Sequence, residues 1–183
     1  MSDTNIDIGL VNCDSDLEQI LVLQKQNLAF TDDGFVTVVH TLDILRAFHA
    51  VMPSVVARHD GMVVGYALSM PREASSLIPV LVPMFQRLDN MASLNGQRWY
   101  VMGQVCIADQ WRGCGLFDRM YAQHRQSFAS RFDWLITEIA KRNPRSLRAH
   151  ARVGFVEIDH FTDDSDTWSV VGLPLAGTSE KNP

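Results

Sequence analysis

The sequence predicts one α/β domain, because strand-like and helix-like segments follow one another without a repeat or a linker that would divide the chain. Its 183 residues can bury a sizeable core, and a hydrophobic content of 46% is enough to fill it. A short polar stretch, residues 176–183, follows the last apolar segment. We therefore expect a single domain over residues 1–175 and a disordered tail.

The first half of the chain shows a strand, two helices and a hairpin. Apolar residues recur at helical spacing in two segments, and an Asp-Gly pair separates two apolar runs in a third. The predicted elements are a strand at 7–13, a helix at 15–28 capped by Asp14 or Ser15, a loop at 29–35, a helix at 41–52 and a hairpin at 54–70 that turns at Asp60-Gly61.

The second half shows a broken helix followed by alternating strands and helices. Two prolines, Pro79 and Pro83, interrupt the first segment, whose length still favours a helix over a strand. The predicted elements are the broken helix at 75–91, a strand at 98–108, a helix at 116–128, a strand at 132–140, a helix at 144–153 and a hairpin of 155–161 with 167–175 around an acidic turn.

Composition argues against several classes of partner. A net charge of −5 without a long basic run predicts no nucleic-acid partner. No stretch approaches the ~20 apolar residues of a membrane span, so we expect no membrane partner. Residues 1–10 lack a basic segment and a long apolar core, so we expect no signal peptide. Cys13, Cys106 and Cys114 lack disulfide or zinc spacing. These features predict a cytoplasmic protein without a metal.

The segment Gln-Trp-Arg-Gly-Cys-Gly, residues 110–115, joins an apolar strand to a helix. Gly113 and Gly115 free the backbone for positive φ, and the following helix start leaves amide donors that suit a phosphate. The spacing excludes a Walker A loop, and Asp118 stands where the dinucleotide fingerprint needs glycine. Gly103 predicts a bulge in the preceding strand. The alternative is a tight turn that binds nothing.

Two segments carry a resemblance to a known family. Gln110, Gly113 and Gly115 match the (Arg/Gln)-x-x-Gly-x-(Gly/Ala) signature of the GNAT superfamily of acyl-CoA-dependent N-acyltransferases. Residues 143–155 resemble its Asn-x-x-(Ala/Ser)-x-x-x-Tyr-x-x-x-Gly-Phe segment, and the residues in register are Asn143, Ser146, Gly154 and Phe155. Asn143 is also a good helix N-cap, with Pro144 at the first helical position.

The resemblance implies a fold and a cosubstrate. The fold would be a mixed, mostly antiparallel sheet of about six or seven strands, flanked by helices, with a bulged central strand at the CoA cleft. Acetyl-CoA would pair its pantetheine with the backbone of 105–107 and its pyrophosphate with the amides of 111–116. The implied cofactor-binding residues are Val105, Cys106, Ile107, Gln110, Trp111, Arg112, Gly113, Cys114, Gly115, Leu116, Asn143 and Ser146.

Glu138 is the candidate general base. A carboxylate within the apolar strand at 132–140 is costly if buried unpaired, so it is either ion-paired or used in chemistry. Glu138 lies five residues before Asn143, the spacing at which ribosomal-protein-alanine acetyltransferases of the superfamily carry a general-base glutamate. Cys106 is an alternative catalytic residue, as a nucleophile, but a cysteine in an apolar strand is usually unreactive.

His150 stands where the family usually has a tyrosine that serves as general acid at the CoA sulfur. Helical spacing places His150 on one face with Leu147, Ala151 and Gly154, which predicts that it points toward the sheet. Two roles remain open for it. Histidine could donate the proton in place of tyrosine, or it could be a core residue satisfied by a backbone carbonyl.

The predicted activity is direct transfer of an acetyl group from acetyl-CoA to a primary amine of a small molecule or a peptide. The alternative is a non-catalytic acyl-CoA sensor or regulatory module on the same fold. The acidic segments at 30–35 and 162–166 would favour a cationic amine, although solvated acidic turns are the commoner explanation. Many relatives are dimers, so the resemblance also allows a homodimer.

Overall fold

The computed structural model of the chain describes residues 6–28 and 38–175, apart from the side chain of Val80. The predicted loop at 29–35 and tail at 176–183 lie outside the described residues. Those described form seven strands: β1 (Ile6–Leu10), β2 (Val55–His59), β3 (Met62–Met70), β4 (Trp99–Ile107), β5 (Trp134–Ala140), β6 (Val156–Thr162) and β7 (Thr167–Pro174). They also form five α-helices: α1 (Asp14–Gln26), α2 (Leu42–Val51), α3 (Val82–Asp89), α4 (Leu116–Phe128) and α5 (Pro144–Arg152).

All described strands belong to one sheet, in the order β1-β2-β3-β4-β5-β7-β6. Neighbouring strands are antiparallel except β4 and β5, which run parallel. This is the mixed, mostly antiparallel sheet that the resemblance implied. The parallel pair requires a long crossover, and α4 supplies it.

The start of α1 differs from the prediction. Cys13 takes the N-cap position without a side-chain cap hydrogen bond, so the expected capping by Asp14 or Ser15 is wrong. A tertiary contact overrides the local cap signal. Asp16, in the first turn, is buried and its Oδ2 lies 2.5 Å from the Arg58 guanidinium on β2. The ion pair holds the first turn of α1 against the sheet, and the N-cap lies one or two residues earlier in the chain than the cap pattern indicates.

Helices cover both faces of the sheet. On one face, called the cofactor face after the cosubstrate that the resemblance implies, α4 and α5 pack over a buried cluster that includes Tyr100, Leu135 and Ile139. On the other, called the acceptor face after the amine that the resemblance implies, α1, α2 and α3 pack over clusters that include Tyr66 and Ile136. Successive residues of β5 thus point to opposite faces, as strand geometry requires.

The predicted bulge in β4 is present at Gly103. Leu68 pairs with Gln104 and Ser69 pairs with Met102, so Gly103 is the extra residue on β4. One extra residue reverses the alternation of side chains beyond it. The bulge therefore changes which β4 side chains point to each face just where the strand separates from β5.

The connection between β3 and β4, residues 71–98, contains the predicted broken helix. Two short 3-10 turns, Arg72–Leu77 and Pro79–Leu81, lead into α3, and a third follows at Ala92–Leu94. Each proline stands in the first turn of a helical segment, where its missing N–H costs nothing. The inner residues Met84, Phe85 and Leu88 of α3 pack on the acceptor face.

Candidate active site

A gap opens between β4 and β5 in the middle of the sheet. The strands pair only from Trp99 with Trp134 to Val101 with Ile136. Farther along, β4 stays paired to β3 and β5 to β7, but no described residues pair across the gap. The edge of β4 facing the gap therefore offers unpaired backbone groups, which an extended ligand with amides can use like an added strand.

The predicted pantetheine-binding segment lies along this edge. Val105, Cys106 and Ile107 pair with β3 on one side and border the gap on the other. The side chains of Val105 and Ile107 pack toward the cofactor face, and Cys106 packs toward the acceptor face. Burial raises the pKa of the Cys106 thiol to about 11, so it is protonated at neutral pH. This environment favours the inert role of Cys106 over that of a nucleophile.

The glycine turn has the backbone that an anion site needs. Gly113 and Gly115 have φ of 77° and 74°, and no heavy atom lies within 4 Å of where a Cβ would stand on either. Helix α4 begins at Leu116, and no side chain caps its start. The first amides of α4 and the positive end of its dipole thus face an open backbone cradle.

The side chains of the turn brace it. Arg112 donates to the carbonyl of Ile107 and to Asn27 Oδ1 at the end of α1, both at 3.1 Å, and pairs with Asp109. The Trp111 ring lies against His59, with centroids 4.6 Å apart. Gln110 and Cys114 are exposed. Because the Arg112 guanidinium is committed to these contacts, the backbone amides are the principal donors that the turn offers.

The two motif residues at the start of α5 form its N-cap. Asn143 Oδ1 accepts a hydrogen bond of 3.0 Å from the Ser146 amide, and Pro144 occupies the first helical position. The Ser146 hydroxyl also lies 3.2 Å from His150 Nδ1. The predicted local structure is therefore confirmed, while binding of the cofactor by Asn143 and Ser146 stays a prediction.

Glu138 lies on β5 beside the gap. Its Oε1 accepts a hydrogen bond of 2.9 Å from Arg87 NH1 on α3, and its side chain is 15% exposed. Burial raises the pKa of Glu138 to about 7, partly offset by Arg87 and reinforced by Asp163. The carboxylate is thus both ion-paired and suited to accept a proton near neutral pH, so the two roles left open by the sequence are compatible.

His150 points inward, as helical spacing predicted, and is buried. Its Nε2 lies 2.9 Å from the Tyr121 hydroxyl on α4, and its Nδ1 lies 2.8 Å from the Ser146 carbonyl oxygen. A ring that donates from Nδ1 and accepts at Nε2 satisfies both contacts. Burial lowers the pKa of His150 to about 4, so the ring is neutral at pH 7. These contacts favour the satisfied core histidine over an imidazolium donor.

Sequence reasoning missed three residues of this region. Arg87 reaches Glu138 from a segment that showed only a broken helix, and its guanidinium carbon lies 3.3 Å from the Phe161 ring centroid on β6. Tyr121 supplies the partner of His150 from the middle of α4. No local pattern marks these residues. Only the topology, which brings α3 to β5 and α4 to α5, reveals them.

Two of the three carboxylates in the acidic turn at 162–166 have local partners. Asp163 Oδ1 accepts hydrogen bonds from the amides of Ser165 and Asp166 and from the Ser165 hydroxyl. The Asp166 carboxylate pairs with Arg142. These contacts favour the explanation of a solvated acidic turn over attraction of a cationic substrate. The other acidic segment, at 30–35, lies outside the described residues.

A surface cavity of about 570 Å³ lies next to the glycine turn, and both Gln110 and Trp111 line it. It is bounded by α1 and the β2–β3 hairpin and does not include Glu138. No group of three or more His, Cys, Asp or Glu residues in the described chain could hold a metal ion. Within the same residues, no helix is long and apolar enough to cross a membrane.

Solved structures share this fold. An acetyltransferase of the GNAT family from Streptococcus pneumoniae is 11% identical, with a TM-score of 0.66 over 93% of this chain and 99% of its own. Salmonella typhimurium yncA, solved with its cofactor acetyl-CoA, is 14% identical, with a TM-score of 0.66 over 95% and 96%. The ribosomal-protein-S18-alanine N-acetyltransferase of Escherichia coli is 12% identical, with a TM-score of 0.61 over 96% and 97%.

These similarities show that the chain has the GNAT fold, which confirms the resemblance of the two sequence segments at the level of architecture. No protein-family model and no curated protein matches the sequence. Because the identities are low, activity has to be argued from the site itself.

Proposed function

We propose that this protein is an N-acetyltransferase that moves the acetyl group of acetyl-CoA directly to a primary amine of a small molecule or a peptide. The observation that carries the proposal is the gap between β4 and β5, which has the glycine turn at its end and Glu138 beside it. Two proteins of the same fold give support: yncA was solved with acetyl-CoA, and the Escherichia coli enzyme is named for an alanine acceptor.

The backbone fits the elongated shape of acetyl-CoA. The edge of β4 at 105–107, apart from the Ile107 carbonyl that accepts from Arg112, suits the amides of pantetheine. The cradle of Gly113, Gly115 and the first amides of α4 suits the pyrophosphate. Acetyl-CoA supplies the acetyl thioester. The chain contributes the position of that thioester in the gap and the groups on either face.

Glu138 would remove the proton from the acceptor amine. The residue continues the side of β5 that bears Ile136, which packs on the acceptor face. Near neutral pH its pKa of about 7 leaves a substantial fraction ionised, so it can take a proton directly or through a water. The amine nitrogen then forms the amide bond to the acetyl carbon as the carbon–sulfur bond breaks. The nitrogen releases its second proton to water, and the thiolate leaves.

The thiolate would take its proton from water rather than from His150. Both nitrogens of His150 have protein partners, and the ring is neutral at pH 7. A thiolate whose conjugate acid has a pKa near ~8.5 needs little assistance to leave. His150 would then act by holding α5 against Tyr121 on α4.

The environment of His150 is also the observation that favours the second candidate, a non-catalytic acyl-CoA sensor. The turn and the gap would serve such a sensor equally well, whereas a carboxylate with a pKa near neutral beside the gap supports the enzyme. The two candidates differ in one measurable respect, which is release of free CoA in the presence of an amine.

The test is thiol release from acetyl-CoA across a panel of amines, amino acids, polyamines and peptides. We expect amine-dependent release by the protein and none by Gly115→Val, in which a β-branched residue must adopt positive φ in the cradle. If acetyl-CoA binds in calorimetry but no amine in the panel releases thiol, the sensor is favoured. If acetyl-CoA does not bind, both candidates fail.

We further propose a cytoplasmic location, in keeping with three free cysteines, one buried and two exposed. A homodimer stays a prediction, and sedimentation of the purified chain would test it.

A further inference from the structure

The connection between β3 and β4 is much longer than the topology requires. Adjacent antiparallel strands can be joined by two to five residues. Here residues 71–98 join them, and this segment folds into 3-10 turns and α3. Ordering so many residues costs conformational entropy, which a functional contribution would explain.

This connection places one positively charged side chain, that of Arg87, at the gap. Met84, Phe85 and Leu88 of α3 are buried against the acceptor face. Arg87 stands beside them at the edge, where its NH1 donates to Glu138 Oε1 at 2.9 Å. Its guanidinium carbon lies 3.3 Å from the ring centroid of Phe161 on β6. Two contacts from two different strands thus fix the guanidinium in place.

We propose that Arg87 is a positioning residue for Glu138, fixing its carboxylate at the gap. The proposal rests on the function proposed above. Arg87 holds Glu138 by one carboxylate oxygen, and its charge favours the ionised form of that carboxyl. The Arg87 side chain is 30% exposed, so the charge is only partly screened by solvent.

The charged groups that face Glu138 come from two elements. Arg87 on α3 lowers the pKa of Glu138, and Asp163 in the β6–β7 turn raises it by a smaller effect. Burial is the largest influence and raises the pKa. Replacing Arg87 with a neutral residue removes the lowering contribution. The pKa of Glu138 must then rise, and the ionised base is reached only at higher pH.

The first test measures Glu138 without catalysis. The side-chain carboxyl carbons of the five glutamates are labelled with ¹³C, and Glu138→Gln identifies the resonance of interest. We expect it to titrate near pH 7 in the native chain and at higher pH in Arg87→Gln, which keeps a hydrogen-bond donor without charge. Arg87→Lys, which keeps the charge, should shift it less. The positioning role is wrong if Arg87→Gln leaves the titration unchanged.

Arg72→Gln is the matched control. Arg72 lies in the same connection and also joins a carboxylate to an aromatic ring, with Asp89 at 2.9 Å and the Trp99 centroid at 5.7 Å. Its loss should leave the Glu138 titration in place. An equal shift in both variants would show a general effect of the connection and overturn the specific role of Arg87. None of these outcomes depends on acetyl transfer, so the proposed function can fail separately.

The second test follows kcat/KM for the best amine of the panel against pH. We expect the acidic limb near pH 7 in the native chain to move to higher pH in Arg87→Gln, and to move less in Arg87→Lys. Arg72→Gln should keep the native limb. An unmoved limb in Arg87→Gln contradicts the positioning role.

Discussion

At the gap, one face of the sheet offers mainly backbone groups and the other offers mainly side chains. On the cofactor face the candidate site is mainly backbone: the free edge of β4, two glycines with positive φ and the uncapped start of α4. On the acceptor face it is made of side chains from three separate segments, namely Glu138, Arg87 and Phe161. A backbone cradle suits a ligand shared by many proteins, whereas remote side chains suit a ligand particular to one.

This difference also decides what the sequence could predict. The glycine turn, the bulge at Gly103 and the N-cap at Asn143 are local backbone features, in which each residue type has one strong conformational reason. All three are present where the sequence placed them. Their spacing within short segments made them visible without knowledge of the fold.

The acceptor face could not be predicted in the same way. Arg87 and Glu138 are 51 residues apart, and only the packing of α3 over β5 brings them together. The Tyr121–His150 contact likewise joins two helices that the sequence does not pair. The start of α1 was misplaced for a related reason, because the buried Asp16–Arg58 ion pair is a tertiary contact.

The largest expected effect is loss of acetyl-CoA binding on the cofactor face. Gly115→Val should weaken binding by about 100-fold or more in calorimetry, since valine rarely adopts positive φ and its side chain would enter the cradle. Gly96→Val is the matched control: Gly96 has φ of 74° and open space around it but lies outside the turn. Equal affinity of the two variants for acetyl-CoA would show that the turn does not bind this ligand.

Acid should affect the buried histidines and Glu138 in opposite directions. Burial lowers the pKa of His124 to about 3 and of His150 to about 4, both on the cofactor face, and that of His40 to about 4. Unfolding exposes these rings, which then take up protons, so their contribution to stability is lost as pH falls from about 6.5 to about 4. Glu138 has a raised folded pKa of about 7, so its contribution runs the other way, increasing as pH falls from about 7 to about 4.5.

We therefore expect the free energy of unfolding, measured in urea, to decrease between pH 7 and pH 5. Glu138→Gln should make the decrease steeper, by up to ~1.4 kcal/mol per pH unit, because the opposing group is removed. If the free energy of unfolding decreases equally in both proteins, Glu138 does not take up a proton in the folded state over this pH range.

A smaller effect is expected at His150. His150→Phe leaves the buried Tyr121 hydroxyl without its partner and should destabilise the fold by ~1–3 kcal/mol, while kcat falls less than ~10-fold. His150→Tyr is the informative companion. If the tyrosine variant is much more active than the phenylalanine variant and its pH profile moves upward, His150 donates a proton to the leaving thiolate after all.

The smallest effect concerns the acidic turn. Asp164 is exposed, and its neighbours Asp163 and Asp166 are occupied by local contacts. Asp164→Asn should change KM for a monoamine by less than about twofold, because a single solvated charge is strongly screened. A several-fold increase in KM that disappears at high salt would instead show that the turn attracts cationic substrates.

The central claim is that Glu138, on one side of the gap, takes the proton of an amine that reacts with acetyl-CoA held from the other. The most direct measurement is kcat/KM for the best amine of the panel against pH, in the native chain and in Glu138→Gln. We predict an acidic limb near pH 7 in the native chain, and a variant that is at least ~100-fold slower at pH 8 and lacks this limb. A variant that keeps both the rate and the limb, with acetyl-CoA affinity equal in the two proteins, would contradict the account.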